Sequence, residues 1–301
     1  MRIGISITTG YKVEDVRQGA RWMIERARAA GEARLDYLFF GDHHVAAIPN
    51  YQCTPILGRA LAEWWDAPAG ALYLLPLRFP VLLAEEVATL ASLAPNRFIM
   101  QCALGNGGEE FEAFGVNSKH RPSRFEESLD VMRRLWKGET VTHQGRWQFK
   151  EARISPTPPE NIDVWVAARV DPAIERAARL GDGWIASPRS VPDKAKRDLD
   201  LYHESCAKHG KAPGARVIRR DIYVGESQKE AKAIGEQVIS GGYRGMTPES
   251  VIIGDVDSVA KAFVEWEKMG FTEMITRSLV SDQEKSLASI SRLAKVKELL
   301  K

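Results

Sequence analysis

The chain has 301 residues, of which 44% are hydrophobic and 27% are charged, so it can bury a large core. Its 42 basic and 40 acidic residues give a formal net charge of +2, without the basic excess that would favour a nucleic-acid partner. The three cysteines are scattered and odd in number, which argues against a disulfide scaffold or a zinc ribbon and fits a reducing compartment.

The first residues and the longest apolar segment bear on location. Residues 1–7 alternate in polarity and stop at Thr9 and Gly10, which is typical of a first strand rather than a secretion signal. The apolar segment 71–84 is too short to span a bilayer and contains Arg78 and two prolines. We therefore expect a cytoplasmic protein with no membrane partner.

Buried-strand patterns alternate with amphipathic-helix patterns along the chain. Short apolar runs bounded by turn residues predict eight strands, at 2–7, 35–40, 70–75, 97–104, 164–167, 183–186, 217–224 and 273–279. Apolar residues at helical spacing predict helices at 13–30, 56–65, 80–93, 122–137, 172–180, 192–209, 228–240, 256–269 and 282–300. A β-hairpin at 141–150 and a proline-rich stretch at 155–159 predict an insertion after the fourth unit. Residues 241–254 are predicted to form a mobile loop before the last unit.

Eight strand and helix units predict one domain, residues 1–301, folded as an α/β TIM (β/α)8 barrel with insertions. A doubly wound parallel sheet is the alternative. Both folds bind ligands at the carboxyl ends of their strands, so the residues that follow each strand are the first candidates for a site.

A glycine-rich loop follows the fourth strand. Gly105, Asn106, Gly107 and Gly108 stand directly after the buried run 97–104. Glycine lets backbone approach a ligand closely and reach dihedral angles that other residues avoid. The same pattern also fits a flexible surface turn.

A pair of histidines follows the second strand. Because neighbouring side chains on extended backbone point in opposite directions, one of His43 and His44 is expected to face a ligand while the other packs. A pair without function is the alternative. The remaining histidines lack metal-ligand spacing, so we expect no metal site.

A third candidate site precedes the helix at 172–180. The free N–H groups of that helix and the guanidinium of Arg169 could hold a phosphate, although Arg169 could also be an exposed loop residue. Arg121 and Arg124 are further candidates, and Arg124 could instead pair with Glu127. By themselves these residues predict a barrel with a polar, glycine-rich mouth suited to a phosphorylated ligand.

An ordered set of short segments resembles the bacterial luciferase-like flavin oxidoreductase family. The segments are 39–44 (FFGDHH), 75–81 (LPLRFPV), 96–98 (NRF), 110–116 (EFEAFGV), 121–127, 135–145 and 175–184. Each is weak alone, and their order over residues 1–279 carries the resemblance.

The resemblance implies a TIM barrel that binds reduced FMN or the deazaflavin coenzyme F420. It also implies a non-prolyl cis peptide in the third strand, which we place near Gly70–Ala71. The residues expected around the cofactor ring are Gly70, Ala71, Leu104, Gly105 and Asn106. The residues expected toward its phosphate are Arg124, Val166, Ala167, Ala168 and Arg169.

By similarity, His43 is the catalytic residue nearest the reactive part of the ring, and His44 and Tyr51 belong to the substrate pocket. Aromatic residues such as Trp64 and Trp147 could line an apolar pocket for a hydrophobic substrate, or could simply pack in the core.

The chain departs from the family pattern at three places, one of which is Asp42, where a Glu is frequent before the histidine pair. Gln101 and Ala103 stand in the fourth strand where glycines are frequent, and Ala168 and Arg169 replace the small or hydroxyl residues common at the phosphate. These departures bear on the phosphate contacts more than on the fold.

The favoured hypothesis is a flavin-dependent monooxygenase that uses oxygen and reduced FMN, supplied by a separate flavin reductase, on a small hydrophobic substrate. In it His43 steers proton transfers within a water-excluding pocket. The alternative is an F420-dependent oxidoreductase that transfers hydride, and a second alternative is a non-catalytic flavin-binding paralogue. The resemblance also suggests a homodimer.

Overall fold

Eight parallel strands close into a barrel in the computed structural model, which describes residues 1–301. The chain has eleven strands in all, which are β1 (Arg2–Ile7), β2 (Tyr37–Phe40), β3 (Ala69–Leu74), β4 (Phe98–Ala103), β5 (Val141–Gln144), β6 (Gln148–Ala152), β7 (Asp163–Ala167), β8 (Gly183–Ala186), β9 (Ala215–Val224), β10 (Val251–Gly254) and β11 (Glu273–Ser278). The barrel runs β1-β2-β3-β4-β7-β8-β9-β11, and β11 pairs with β1 to close it. The predicted TIM barrel is confirmed, and a doubly wound sheet is excluded because the ring has no free edge.

The helices lie between the strands. They are α1 (Val16–Glu32), α2 (Cys53–Ala60), α3 (Pro80–Leu93), α4 (Glu109–Ala113), α5 (Arg121–Trp136), α6 (Asp171–Leu180), α7 (Pro192–Lys208), α8 (Gln228–Ser240), α9 (Val256–Met269) and α10 (Gln283–Leu299). Several helices start at the residue predicted from the sequence. For example, α3 and α7 each begin with a proline, whose missing N–H costs nothing in the first turn. No helix is both long and apolar enough to cross a membrane.

Two hydrophobic clusters divide the side chains of the strands. The larger lies between the strands and the surrounding helices, and contains Ala71 and Tyr73 of β3. The smaller cluster fills the barrel interior, and we call it the barrel plug. Its members are Tyr37, Phe39, Ile99, Trp165, Ile185, Val217 and Ile275. Because successive residues of a strand point to opposite faces, six of the eight barrel strands contribute to both clusters. In β1 and β3 the inward position at this level is a glycine, Gly4 or Gly70, against which the plug side chains pack.

The predicted hairpin is present as the antiparallel pair β5 and β6, outside the barrel. The predicted mobile loop 241–254 is wrong over its last four residues. Val251–Gly254 form β10, which pairs in parallel with the end of β9. The long strand β9 runs on past its pairing with β8, so its last residues leave backbone groups free to bind a further strand. The short helix α4 was not predicted.

The predicted cis peptide near Gly70–Ala71 is also wrong. The one cis peptide of the chain is Ser155–Pro156. β3 keeps an unbroken parallel register with β4, in which Gly70 lies opposite Ile99 and Ala71 opposite Met100. A continuous ladder of this kind is built from trans peptides.

A substitution at Gly70 tests how tightly the barrel interior is packed. A Cβ atom added there would lie 1.8 Å from the carbonyl oxygen of Ile99, so the backbone itself would have to move. We expect Gly70→Ala to lower the free energy of unfolding by about 3 kcal/mol in urea titrations. Gly58→Ala is the matched control, because its Cβ would meet nothing closer than 3.8 Å in α2 and should stabilise the chain by about 0.5–1 kcal/mol. Equal effects of the two substitutions would contradict this account.

Candidate active site

A cavity of about 420 Å³ opens at the carboxyl ends of the barrel strands. Its wall is made by the inward-facing residues one layer above the barrel plug. Gln101, Ala167 and Arg219 follow the plug residues Ile99, Trp165 and Val217 by two positions. Leu72 and Leu74 extend the wall along β3. Period-two alternation therefore places the plug below and the site above.

The glycine-rich loop forms one side of the mouth. Leu104, Gly105 and Asn106 line the cavity, and Gly105 has φ +73°, a left-handed conformation that suits glycine. A Cβ on Gly105 would lie 2.8 Å from the ring of Phe111. Arg121 secures the loop, because its Nη1 donates to the carbonyl of Gly105 at 3.1 Å. The loop is thus pinned in place and is no free surface turn.

The adjacent wall comes from β7 and β8. Ala167, Ala168 and Arg169 line the cavity together with Ser187 and Pro188. The indole Nε1 of Trp184 donates to the carbonyl of Ala168 at 3.1 Å, which anchors the turn after β7. The third predicted site therefore shares one cavity with the glycine loop.

The two histidines point in different directions. His44 is half-buried, with its Nε2 3.2 Å from Asp42 Oδ1 and its ring packed on Phe114. His43 is exposed at the mouth. Partial loss of water around its ring and the positive charge of Arg244 lower the pKa of His43, although Asp42 acts in the opposite direction. The lowered pKa favours the neutral ring, which can accept a proton.

Asp42 is the centre of the network that holds the histidine loop. It is 2% exposed, and its Oδ2 accepts from the backbone N–H of Leu74 at 3.0 Å. Its Oδ1 accepts from Arg78 Nη2 at 2.7 Å. Burial by itself would raise the pKa of Asp42, but hydrogen bonds from His44 and Arg78 outweigh it and lower the pKa to about 2. The carboxylate is therefore ionised and fixes the loop to β3.

Six of the residues predicted from the family resemblance to bind the cofactor meet in the cavity. They are Leu104, Gly105, Asn106, Ala167, Ala168 and Arg169. His43 and His44 stand at its mouth rather than in its wall.

Five other predicted residues lie elsewhere. Gly70 is in the lower interior layer, while Ala71 and Val166 face the helices because they alternate with the inward positions. Arg124 donates to the carbonyl of Pro76 and stacks 3.7 Å over Trp147, outside the cavity. Tyr51 donates to the carbonyl of Val16, also outside it. Trp64 is buried in the core, where its indole Nε1 donates a hydrogen bond to the carbonyl of Ala67, so it packs there and does not line a substrate pocket.

Sequence reasoning missed several wall residues, chiefly Leu72, Leu74, Gln101 and Arg219. All four lie within strands, whereas the prediction looked mainly at loops. The alternation along each strand was the available signal, since Arg219, Arg220 and Asp221 are three consecutive charged residues within the predicted buried strand 217–224. Only the closed barrel shows which face of each strand points inward.

Comparison with known proteins identifies the family of this chain. The model of the luciferase-like monooxygenase family matches residues 1–250. The chain is 31% identical to an F420-dependent glucose-6-phosphate dehydrogenase of Beutenbergia cavernae, with 91% of this chain and 92% of that protein covered.

Two solved structures share the fold. An F420-dependent secondary alcohol dehydrogenase in complex with an F420-acetone adduct has a TM-score of 0.82 at 17% identity, covering 100% of this chain and 99% of that one. The oxygenating constituent of 3,6-diketocamphane monooxygenase from Pseudomonas putida, in complex with FMN, has a TM-score of 0.84 at 18% identity, covering 100% and 99%.

The chain belongs to the luciferase-like monooxygenase family. It is a flavin- or deazaflavin-dependent oxidoreductase.

The Asp42 network makes a prediction about stability and pH. We expect Asp42→Asn to lower the free energy of unfolding by about 3 kcal/mol at neutral pH, because Arg78 loses its buried partner. The folded pKa of about 2 lies below the ordinary 3.8, so the contribution of the carboxylate is present above pH 3.8 and is lost as pH falls toward 2. Urea unfolding should therefore show the difference from the parent chain narrowing at about pH 3. The exposed Asp130→Asn is the control, and an equal loss there would contradict the prediction.

Proposed function

We propose that this protein is an F420-dependent oxidoreductase that transfers hydride between the deazaflavin and a small organic alcohol or carbonyl compound. The observation that carries the proposal is the 31% identity to an F420-dependent dehydrogenase over nine-tenths of both chains. The proposal reverses the order of the two cofactors favoured from motifs alone, and it requires no separate flavin reductase.

The cavity fits a flat, anionic cofactor. Leu72, Leu74 and Leu104 supply an apolar wall against which a tricyclic ring would rest. Arg169 is exposed at the rim, and the exposed Arg189 follows the lining residue Pro188, so the phosphate and carboxylates of the F420 tail would find positive charge there. Bound F420 supplies a two-electron hydride acceptor or donor.

The protein's own contribution is proton transfer and orientation. In the oxidising direction, a ring nitrogen of His43 accepts the hydroxyl proton of the substrate as hydride leaves the carbon that bears this hydroxyl group. In the reducing direction the protonated ring returns that proton to the carbonyl oxygen. The carbonyl of His43 accepts from Gln52 Nε2 at 3.2 Å, which holds the backbone that carries the ring.

The polarity of the cavity also supports hydride transfer. Oxygen chemistry on a reduced flavin needs a site that excludes water. Here the wall contains Gln101 and Arg219, and the mouth carries an exposed His43. Hydride transfer to a deazaflavin places no such demand on the site.

Cofactor choice is tested by anaerobic titration of the purified protein with oxidised and reduced F420 and, separately, with FMN. We expect F420 to bind at least about tenfold more tightly than FMN, a difference of about 1.4 kcal/mol. Admission of air should leave the spectrum of bound reduced F420 unchanged on the timescale of turnover. Tight binding of reduced FMN with an oxygen-dependent spectral change would instead establish the monooxygenase alternative. Binding of both cofactors without turnover of any substrate would favour the non-catalytic paralogue.

The role of His43 is tested by His43→Ala, assayed by F420 absorbance with a panel of alcohols that includes 2-propanol and glucose 6-phosphate. We expect kcat to fall by about 10²–10⁴-fold while the Kd for F420 stays unchanged. The acid limb of alcohol oxidation should lie below about pH 6.5, because the pKa of His43 is lowered, and should vanish in the variant. His209→Ala, at an exposed position after α7, should retain activity. Full activity of His43→Ala would remove this mechanism.

A further inference from the structure

Arg219 is a charged side chain inside the cavity that makes no hydrogen bond. It lies on β9 one layer above the barrel plug and lines the cavity. Its Nε is buried and has no acceptor, and its nearest carboxylate oxygen is Asp221 Oδ1, 3.8 Å away. Its neighbour Arg220 contrasts with it, because Nη1 and Nη2 of Arg220 donate to the carbonyls of Pro188 and Ser190.

Asp221 does not neutralise the surroundings of Arg219. Its Oδ2 accepts from the hydroxyl of Tyr243 at 2.8 Å and from Arg244 Nη1 at 3.2 Å. Its Oδ1 has no hydrogen-bond donor. One carboxylate therefore faces two guanidinium groups, and the cluster of Arg219, Asp221 and Arg244 carries one uncompensated positive charge.

An unpaired guanidinium in this position is unfavourable without a ligand. Burial costs an ionised group its hydration, and hydrogen bonds must replace that hydration for the cost to be offset. The side chain of Arg219 is only 23% exposed, so solvent water restores little of the lost hydration. A carboxylate or phosphate offers two oxygens that match the fork of donors on a guanidinium.

The position of Arg219 separates it from the apolar wall assigned to the cofactor ring. In the barrel order β9 lies across from β3, whose Leu72 and Leu74 form the apolar wall. The charges of Arg219 and Arg244 both lower the pKa of His43, so the two arginines lie within electrostatic reach of the proton-transferring residue. A group bound to Arg219 therefore lies across the cavity from the apolar wall of β3 and within electrostatic reach of His43.

We propose that Arg219, assisted by Arg244, binds an anionic group of the substrate, either a carboxylate or a phosphate. The substrate class is then small organic acids or phosphate esters that carry an alcohol or carbonyl group. This assignment rests on the proposed function for the reaction and on the unpaired Arg219 beside Arg244 for the anion. The second source of the same chemistry is the anionic tail of the cofactor, and the test separates the two.

The anion site is tested by calorimetry with inorganic phosphate and with malonate on the F420-loaded protein and on the protein without added cofactor. Ionic strength is held constant, because exposed arginines at the rim attract any anion. The variants are Arg219→Met, which keeps the aliphatic volume, and Arg219→Lys, which keeps the charge without the fork. Arg17→Met, at an exposed position at the start of α1, is the matched control for loss of one positive charge. A thermal melt of each variant establishes that it is folded.

We expect the parent protein to bind at least one probe, and Arg219→Met to weaken that binding by at least about tenfold while the Kd for F420 changes by less than about twofold. The affinity of Arg219→Lys for the probe should lie between that of the parent and that of Arg219→Met, and Arg17→Met should bind the probe as tightly as the parent. Binding of neither probe to the parent would overturn the proposal. Weaker F420 binding in Arg219→Met with unchanged probe binding would also overturn it, and would assign Arg219 to the cofactor. Probe binding that depends on Arg219 in a protein that does not bind F420 would uphold the anion site while removing the proposed function.

Discussion

The closed ladder of eight parallel strands imposes a two-residue period on everything inside the barrel. Once β11 pairs with β1, each strand must send alternate side chains to the axis and to the helices. The lower inward layer is filled by the aromatic and aliphatic barrel plug, in which Trp165 meets Tyr37 edge to face at 5.4 Å. The next layer cannot be filled in the same way, because it carries smaller or polar side chains such as Ala167 and Gln101. The cavity is the direct result.

Two charged groups at this end of the barrel behave in opposite ways. Asp42 is buried and fully engaged by a backbone N–H, Arg78 and His44, so it holds its loop rigidly against β3. Arg219 is largely buried and engaged by nothing within hydrogen-bond distance. A satisfied buried charge orders the protein, whereas an unsatisfied one provides binding energy for a ligand. The first group supports the site and the second points to what enters it.

Reduced FMN and F420 place different demands on the same barrel. Chemistry with oxygen requires that water be kept away from the reduced flavin, whereas hydride transfer requires a hydride donor and acceptor in contact and a base for one proton. In the proposed reaction His43 is that base, and its lowered pKa favours the neutral form that accepts a proton. The relation to an F420-dependent dehydrogenase over most of the chain points the same way. The family label alone, which names monooxygenases, does not decide between these chemistries.

Local pattern in the sequence determined the eight barrel strands, most of the helices and the family, because periodicity, capping residues and short motifs are properties of neighbouring residues. It also singled out the glycine loop and the turn after β7, which do line one cavity. The tertiary structure alone decided which face of each strand is inward, and this moved Ala71 and Val166 out of the site and Arg219 into it. It also decided that β10 forms and that Gly70–Ala71 is not cis. Those outcomes depend on register between strands far apart in the chain, which no local pattern contains.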